Sequence, residues 1–454
     1  MYSLSHDCTS HWRLLVRAKL HLLSPWEALS ERCRYGALPA LLLALAGLLV
    51  QGGDACGEAV LGGFRAAGLA LIGAAIVLGI VAIAIAAKAP VPASAAAGNS
   101  RSWWWILVAL LVLHSSIALH LLRSHDRDSL PAGQFSDSDP RHIDCYTFQL
   151  DAARKLMHGV NPYGTTQANI YNADQTSRFS GPDMVVNGRV QVGFQYPPVT
   201  FLAALPGYLL GDVRYGYLAA VLLAAIFAFA TVPSVPGLCL AAYLLLNPIT
   251  FMVEDRCWTE PLVWMLLCAT LYAAIKRPRW LALALGLFLA SKQYNFLALP
   301  LVGILLRPFA WKACWRLLGT SVTIAVATLL PFALLNFQAL WHDLVLFHLA
   351  QPLRQDALSF ALVFPPYVKF GLLLLLAFLA WIAGRGIDRT ALFAAAFGTA
   401  LLLFVSAGKQ AFMNYYFLVS LSLLLAAAAL WPAPTANAPV SELADRPLRE
   451  CAHT

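Results

Sequence analysis

The sequence predicts an all-α polytopic membrane protein with about twelve transmembrane helices. Hydrophobic residues make up 60% of the 454 residues and charged residues only 12%. This composition, with a mean hydropathy of +0.68, is far more apolar than that of a soluble domain. Apolar runs near the length that a bilayer requires, roughly 20 residues per helix, recur along nearly the whole chain. The net charge of +8 comes from short basic clusters between these runs, which indicates cytoplasmic loops rather than a nucleic-acid partner.

The apolar runs define the predicted spans. Basic residues before the first run make the preceding segment too long for an ordinary signal peptide, so we interpret that run as a retained anchor. The predicted spans are 36–51, 66–88, 103–122, 215–232, 237–252, 259–275, 280–290, 294–306, 317–335, 366–384, 389–406 and 412–431.

Two apolar segments are ambiguous, and the positive-inside rule decides how we assign them. Residues 196–211 are short and contain proline, whereas residues 281–306 are too long for one span and short for two. If the first lies at the interface or re-enters, and the second forms two short spans broken at SKQ, three basic loops all face the cytoplasm. These loops are KRPR (276–279), RPFAWKACWR (307–316) and GRGIDR (384–389).

This topology divides the chain into five regions and places its polar chemistry on one side. The regions are a cytoplasmic segment (1–35), N-terminal transmembrane helices (36–122), a large extracytoplasmic loop (123–211), a transmembrane core with outer loops (212–431) and a cytoplasmic tail (432–454). The polar segments EDRCWTE, SKQ, HLAQPLRQDALSF and GKQAFMNYY fall on the outer face with the large loop. A site at the membrane interface is therefore predicted, rather than the ionisable midplane residues of a transporter.

The outer loop contains the stretch HIDCYTFQLDAARKLMHGVNPYG, residues 142–164. Helical spacing over 145–158 predicts an amphipathic helix on the membrane surface, ended by Gly159 and the NPYG turn. Its apolar line is Tyr146, Leu150, Ala153 and Met157, and its polar face is Asp151, Arg154, Lys155 and His158. The stretch is polar enough to form one wall of a site held against the membrane.

Asp144 stands at the start of this helix, and two interpretations of it remain open. A helix N-cap is a common role for aspartate, with an effect of about 1 kcal/mol. A general base at the outer surface is the functional alternative. The nearby Asp137 and Asp139 are interpreted as a solvated acidic turn. The nine cysteines contain no CxxC pair and no histidine at ligand spacing, so a metal–thiolate site is not predicted, and no cofactor is expected.

Three cations in separate segments are predicted to converge on the outer face. Lys292 lies within an apolar run, where a lysine at mid-helix costs about 2.5 to 3.5 kcal/mol on insertion scales. Arg354 can grip a phosphate bidentately, and Lys409 lies at the outer end of a span. Each alone is explained as a headgroup anchor, but together they predict a socket for a phosphate or diphosphate.

The order of these motifs resembles that of the multi-spanning GT-C glycosyltransferases that use polyprenyl-phosphate sugars, particularly the bacterial mannosyltransferase-like branch. The resemblance covers roughly residues 140–430: an acid in the first large outer loop, a helix ending in GVNPYG, then FQYPP, and a lysine in a broken helix at SKQ. QPLRQDALS and KQAFMNYY are similar to later loops of that family. One acid, instead of the pair that some relatives carry, argues against metal dependence.

The resemblance implies a GT-C-like fold and a hexosyltransferase of the inner membrane, with its site on the extracytoplasmic side. A polyprenyl-phosphate sugar would be the donor, a glycan, lipid or protein would be the acceptor, and membrane lipids would surround the chain. Asp144 would be the catalytic base of an inverting transfer. The predicted substrate-binding residues are Lys292, Gln293, Arg354, Asp356, Lys409, Gln410, Asn414, Tyr415, Tyr196 and Glu260.

Two other functions stay open. A lipid-linked sugar transporter or flippase would share the spans and the phosphate-binding cations, and it predicts a polar path through the bilayer. His114 and His120, on one early span, are the obvious candidates for such a path. A non-catalytic membrane protein would tolerate the loss of Asp144.

Overall fold

The computed structural model describes residues 37–59, 64–88, 101–124, 144–181, 183–385 and 389–431. The predicted cytoplasmic segment 1–35, the tail 432–454 and the acidic turn with Asp137 and Asp139 lie outside these residues. Within the described part the chain is almost entirely helical, which confirms the all-α prediction.

The helices follow one another along the whole described chain. The α-helices are α1 (Leu38–Ala59), α2 (Arg65–Ala87), α3 (Arg101–Ser124), α4 (Asp144–Met157), α5 (Ala173–Phe179), α6 (Pro198–Leu209), α7 (Arg214–Thr231), α8 (Val235–Leu246), α9 (Pro248–Asp255), α10 (Glu260–Lys276), α11 (Leu281–Leu289), α12 (Trp311–Trp341), α13 (Phe347–Ala350), α14 (Phe360–Val363), α15 (Tyr367–Ala383), α16 (Leu392–Ser406) and α17 (Met413–Leu430). Two 3₁₀-helices (Pro278–Trp280, Gln293–Leu305) and a π-helical segment (His342–Leu346) complete them.

A small antiparallel sheet lies in the predicted outer loop (123–211). Its strands are β1 (Gln167–Ala168), β2 (Val185–Val186) and β3 (Arg189–Val190), in the order β1-β3-β2. Val190 pairs with Gln167 on one side and with Val185 on the other. The sheet holds the segment that follows α4 in a fixed place above the bundle.

Six described helices are long and apolar enough to cross a membrane, or seven if the α8–α9 pair, bent by 50°, counts as one span. Membrane association is therefore supported, whereas the predicted count of about twelve spans is not. Several predicted spans form helices that are too short: α11 has nine residues, and at about 1.5 Å per residue it covers only about half of the hydrocarbon layer.

One of the two ambiguous segments takes the form that the charge pattern favoured. Residues 281–306 are broken at SKQ, since α11 ends at Leu289 and the 3₁₀-helix begins at Gln293. Helix α6 begins beside Tyr196, whose ring lies 4.2 Å from Lys292 Nζ. After it, Arg214 Nη1 donates to Asp255 Oδ1 (2.8 Å) near the start of α10. Both ends of 196–211 thus lie near the segment 254–260, and that this segment does not cross the membrane stays a prediction.

Helix α4 is sandwiched between two apolar cores. Tyr146 and Ala153 belong to the large core of the bundle, whereas Phe148 and Ala152 belong to a second core beneath the outer loop. The helix spans 144–157, close to the predicted 145–158. That it lies on the membrane surface stays a prediction, although protein packs against two of its faces. Met157, at the end of the predicted apolar line, is half exposed.

The first two helices are part of the same bundle, although the family resemblance did not include them. A Cβ atom added to Gly79 in α2 would lie 2.9 Å from Thr399 Oγ1 in α16. One added to Gly47 in α1 would lie 3.2 Å from Leu424 Cγ in α17. Only small residues permit such close helix approaches in a membrane.

A buried carboxylate clamps the outer loop to the bundle. Asp343 is 1% exposed, and its Oδ2 accepts hydrogen bonds from the backbone N–H groups of Gly164 (3.1 Å), Gly193 (3.0 Å) and Phe194 (3.2 Å). His342 Nδ1 lies 2.9 Å from its other oxygen. One carboxylate thus fixes two distant stretches of the loop against the end of α12.

We expect Gly193→Ala to destabilise this clamp. A Cβ at position 193 would lie 2.2 Å from the backbone oxygen of Pro162 and 3.0 Å from Asp343 Oδ2, so the loop must move and its charge-assisted hydrogen bonds, about 1.5 to 3 kcal/mol each, must lengthen. Thermal unfolding in detergent should show a clear drop in Tm. Gly319→Ala is the control, since nothing lies within 4 Å of its Cβ position; equal Tm values for both variants would refute the clamp.

Candidate functional site

The structure places Asp144 in the wall of a cavity between the outer loop and the bundle. The cavity has about 560 Å³ of empty space, part of it open to solvent, and α4 contributes Asp144, Thr147 and Phe148 to its wall. Arg354, from the segment after α13, lines the same cavity. The acid and one of the three predicted cations are therefore brought together, although 210 positions of sequence separate them.

The environment of Asp144 suits a proton acceptor. Burial raises the pKa of the Asp144 carboxyl above its ordinary value, and the charge of Arg354 and hydrogen bonds from Cys145 oppose this rise only in part. Asp144 is the first residue of α4, so the positive end of the helix dipole favours its charged form. A carboxylate with a raised pKa is a better base than an ordinary aspartate.

Arg354 is held in a fixed orientation. Its Nε and Nη2 donate to the two oxygens of Asp356 (2.8 and 2.7 Å), and its guanidinium carbon lies 3.8 Å from the ring centre of Phe179 and 5.1 Å from that of Phe412. Burial pushes the pKa of Asp356 upward, but the hydrogen bonds and charge of Arg354 outweigh it and hold that pKa below the ordinary value. Asp356 thus takes the two N–H donors, Nε and Nη2, with which Arg354 was predicted to bind a phosphate. The Nη1 group is the remaining, free edge of the guanidinium.

Lys292 lies in a cage of aromatic rings behind Asp144. Its Nζ is 3.2 Å from Glu260 Oε1 and also contacts Thr259. The ring centres of Tyr196, Tyr294 and Tyr415 lie 4.2, 5.9 and 5.7 Å away. Lys292 is 4% exposed and Glu260 is fully buried. The lysine is therefore part of the protein interior next to the cavity, and its charge lowers the pKa of Asp144 from a distance.

Tyr196 connects this cage to α4. Its hydroxyl lies 3.1 Å from Cys145 Sγ and accepts a hydrogen bond from Gln195 Nε2 (3.2 Å). Gln293 Nε2 donates to the backbone oxygen of Gln195 (2.7 Å). Burial raises the pKa of the Tyr196 hydroxyl well above its ordinary value, so it remains a neutral donor. Tyr196 and Gln293 hold the site together rather than point into the cavity.

The segment 409–415 meets the site from the opposite side. The Lys409 ammonium donates to the backbone oxygens of Leu349 and Gln351 (both 3.0 Å), and its own backbone oxygen accepts from the Arg354 N–H (3.1 Å). Lys409 is exposed, Gln410 and Tyr415 are half-buried, and Asn414 is buried. These residues support the loop that carries Arg354, but none of them lines the cavity.

Two of the three predicted cations are already paired with acids. Lys292 and Arg354 each have a direct carboxylate partner, Glu260 and Asp356, while Arg65 adds a further positive charge near Asp356. The predicted phosphate socket therefore stays a prediction, with Lys292 and Arg354 held by carboxylates and Lys409 by backbone oxygens. Arg354 alone combines a position in the cavity wall with a free edge.

Several wall residues escaped the sequence analysis. Tyr171, Phe179, Asn169 and Gln195 line the cavity, and the backbone of Asp144 hydrogen-bonds to the Tyr171 hydroxyl. They lie on short loops and on α5, where no periodicity or spacing marks them. Cys145, next to Asp144, and Tyr294, two positions after Lys292, were also not predicted, and this proximity in sequence was the available signal.

A second buried ionisable pair lies within the bundle. His114 Nε2 is 2.9 Å from Glu254 Oε1, and His114 Nδ1 is 2.5 Å from the backbone oxygen of Leu245, at the bend between α8 and α9. The ring of Phe251 stacks on His114 at 4.6 Å. His114 is therefore partnered by a buried acid and by a backbone oxygen at the bend between α8 and α9, where an irregular backbone needs such partners.

Comparison with known proteins gives no relative. No family model matches the chain, and neither the curated proteins nor the solved structures contain a match. Inference about function therefore depends on the geometry of the site.

Proposed function

We propose that this protein is a membrane glycosyltransferase that moves a sugar, such as mannose or another hexose or pentose, from a polyprenyl-phosphate donor to an acceptor hydroxyl. The observation that carries the proposal is the meeting of Asp144, with its raised pKa, and Arg354 in the wall of one cavity at the end of the bundle. A base and a phosphate-binding cation in one half-closed cavity are the groups that such a transfer requires.

The reaction follows from these two groups. The Asp144 carboxylate accepts the proton of the acceptor hydroxyl as its oxygen bonds to the anomeric carbon. The bond from that carbon to the phosphate oxygen breaks, and the polyprenyl phosphate leaves with the electron pair. Because the oxygen attacks opposite the leaving phosphate, the anomeric configuration inverts. A positioned base contributes about 10²- to 10⁴-fold to the rate.

Arg354 is the residue suited to the departing phosphate. Its free Nη1 edge can donate to a phosphate oxygen while Asp356 holds the rest of the fork in place. Lys292 adds positive potential from behind the cavity wall. The aromatic rings around its ammonium hold it in place as the phosphate leaves. Interactions that strengthen as charge develops on the leaving group lower the barrier.

The finer topology belongs to the same proposal. We infer about twelve crossings, a GT-C-like arrangement, an inner-membrane location and a site on the extracytoplasmic side. The support is that Arg307 and Arg389, from two basic loops, lie near each other, since burial and then the charge of Arg307 lower the pKa of Arg389. The loops that carry Arg354 and Lys409 also meet. The basic loops thus lie near one another, and the polar loops lie near one another, as the proposed topology requires.

The proposal is tested by transfer from labelled donors. The purified protein in proteoliposomes is supplied with a set of radiolabelled polyprenyl-phosphate sugars and with an envelope glycan and lipid fraction as acceptor. We expect label to enter the acceptor with at least one donor. If label stays in the donor with every sugar while the same preparation carries the lipid across the bilayer, the protein is a flippase and the proposal fails.

Arg354→Gln should lower kcat/KM by about 10- to 100-fold, since one charge-assisted hydrogen bond contributes about 1.5 to 3 kcal/mol. The same variant should also shift the acid limb of the pH profile of kcat/KM. Asp144 acts as the carboxylate, so kcat/KM falls as the pH drops through the pKa of Asp144, which burial places above the ordinary value of about 3.9. The charge of Arg354 lowers that pKa, so its removal should shift the limb to higher pH.

The matched control is Arg178→Gln, which removes an exposed arginine paired with Asp174 in the same outer region. It should leave both the rate and the limb unchanged. An acid limb that does not move in Arg354→Gln would contradict the electrostatic link between the two residues.

A further inference from the structure

A second cleft opens on the other side of helix α4 and is continuous with solvent. It has about 1090 Å³ of empty space. Thr147, Gln167 and Ala168 line both this cleft and the cavity that contains Asp144. A molecule held in the cleft would therefore reach the wall of the cavity. Nothing in the transfer mechanism above uses this cleft.

The lining of the cleft is cationic and rich in hydrogen-bonding groups. Arg154, Lys155 and Arg189 contribute three positive charges, and Asp151 is the one acid among the lining residues. Thr147, Thr165, Thr166 and Gln167 add hydroxyl and amide groups, and Leu150 is the one large apolar side chain. Hydroxyls and amides suit sugar hydroxyls, and the excess of positive charge suits carboxylate or phosphate groups.

The single acid is already neutralised. Asp151 pairs with Lys155, and its Oδ2 also accepts from Gln167 Nε2 at 2.5 Å. Lys155 Nζ donates to Thr165 Oγ1 (2.7 Å). The Asp151–Lys155 pair therefore forms a polar floor for the cleft, and the two arginines account for its net positive charge.

The two arginines are placed to meet a ligand. Arg189 is held by Thr166, since its Nε and Nη2 donate to Thr166 Oγ1 (2.6 Å) and Thr166 O (2.8 Å). Arg154 is exposed on α4, and among the described residues no acid pairs with its guanidinium. A preoriented arginine opposite a free one is a suitable arrangement for binding anions along an extended chain.

We propose that this cleft binds an anionic sugar chain, one that carries carboxylate or phosphate groups, as the acceptor of the reaction. The assignment as acceptor rests on the proposed function, whereas the binding of an anionic sugar chain rests on the cleft alone. A chain that runs along β1 and over Gln167 passes from the cleft into the cavity, where a terminal hydroxyl meets Asp144. An acidic sugar chain is favoured over a bare lipid headgroup because hydroxyl and amide groups, not apolar side chains, line the cleft.

The test is direct binding, measured by calorimetry on the detergent-solubilised protein with three probes. The probes are a galacturonic acid hexamer, a neutral maltohexaose and inorganic pyrophosphate. We expect the acidic hexamer to bind, with an affinity that falls as salt is added, and the neutral hexamer to bind at least tenfold more weakly. Pyrophosphate should compete with the hexamer only weakly, because it lacks the sugar hydroxyls.

Variants locate the binding. Arg154→Gln with Arg189→Gln should weaken hexamer binding by about tenfold or more, as expected for the loss of two charge-assisted contacts. Lys312→Gln, an exposed lysine at the start of α12, should not change it. Thermal unfolding should be the same for all these proteins, since the changed side chains are exposed. Equal hexamer affinity in the double variant, or equal binding of the neutral and acidic hexamers, would overturn the proposal.

The outcomes separate this inference from the proposed function. Hexamer binding should persist in Asp144→Asn, because that carboxylate is not part of the cleft. Binding that depends on Arg154 and Arg189 supports the cleft even where no sugar transfer is found. Sugar transfer without such binding refutes the cleft and leaves the proposed function standing.

Discussion

Asp144→Asn is expected to reduce sugar transfer by about 10²- to 10⁴-fold without reducing the amount of folded protein. The amide cannot accept the proton of an attacking hydroxyl, yet it has the size and shape of the carboxylate. Because burial raises the pKa of Asp144, the native structure holds the charged form at some cost, and a neutral amide should be tolerated or even stabilising. Cells that carry the variant should therefore lose the glycan product while the protein remains in the membrane.

Asp174→Asn is the matched control for this experiment. Asp174 lies in the first turn of α5, in the same outer region, and pairs with Arg178 on the surface. Its replacement should leave the glycans unchanged in mass spectra of the envelope fraction. Normal glycans in the Asp144→Asn cells, at equal protein level, would show that Asp144 is not the base.

Lys292→Met is expected to produce the largest loss of stability. Glu260 is fully buried, and Lys292 Nζ, 3.2 Å from it, supplies its positive partner. Removal of one member of a buried pair leaves a carboxylate without compensation, which costs about 3 to 5 kcal/mol. The three tyrosine rings around Lys292 also lose their contact with the ammonium. Thermal unfolding in detergent should show a Tm well below that of the native protein.

The double variant Lys292→Met, Glu260→Gln separates folding from binding. Replacement of both charges removes the buried carboxylate, so much of the lost stability should return. If Lys292 also supplies positive potential to the phosphate, the double variant should be stable and still slow in transfer. A single variant as stable as the native protein would contradict the buried pair.

The sequence predicted those features that depend on local patterns. Apolar composition predicted the apolar helices, the charge pattern predicted the break at SKQ, and helical spacing predicted α4 within one residue at each end. Each is a property of a continuous stretch of chain. The number of spans was not predictable in the same way, because hydropathy marks an apolar segment but not whether it forms one long helix or a short, broken one.

Features that depend on tertiary contacts were predicted less well. The sequence identified Lys292, Arg354 and Glu260 as important, but it could not show that Lys292 pairs with Glu260 or that Arg354 is held by Asp356. Such pairing gives Lys292 and Arg354 carboxylate partners within the protein. Asp343 was missed altogether, because a single acid at the end of a long helix has no pattern that reveals three backbone N–H partners from a distant loop.

The central claim is that the carboxylate of Asp144 activates an acceptor hydroxyl beside a phosphate bound at Arg354. The anomeric configuration of the product tests it most directly, measured by NMR on the glycan formed from a donor of known configuration in proteoliposomes. A single base and a single displacement predict that every transferred sugar has the configuration opposite to that of the donor. A product that retains the donor's configuration would require two successive displacements at the sugar and would contradict the proposed role of Asp144.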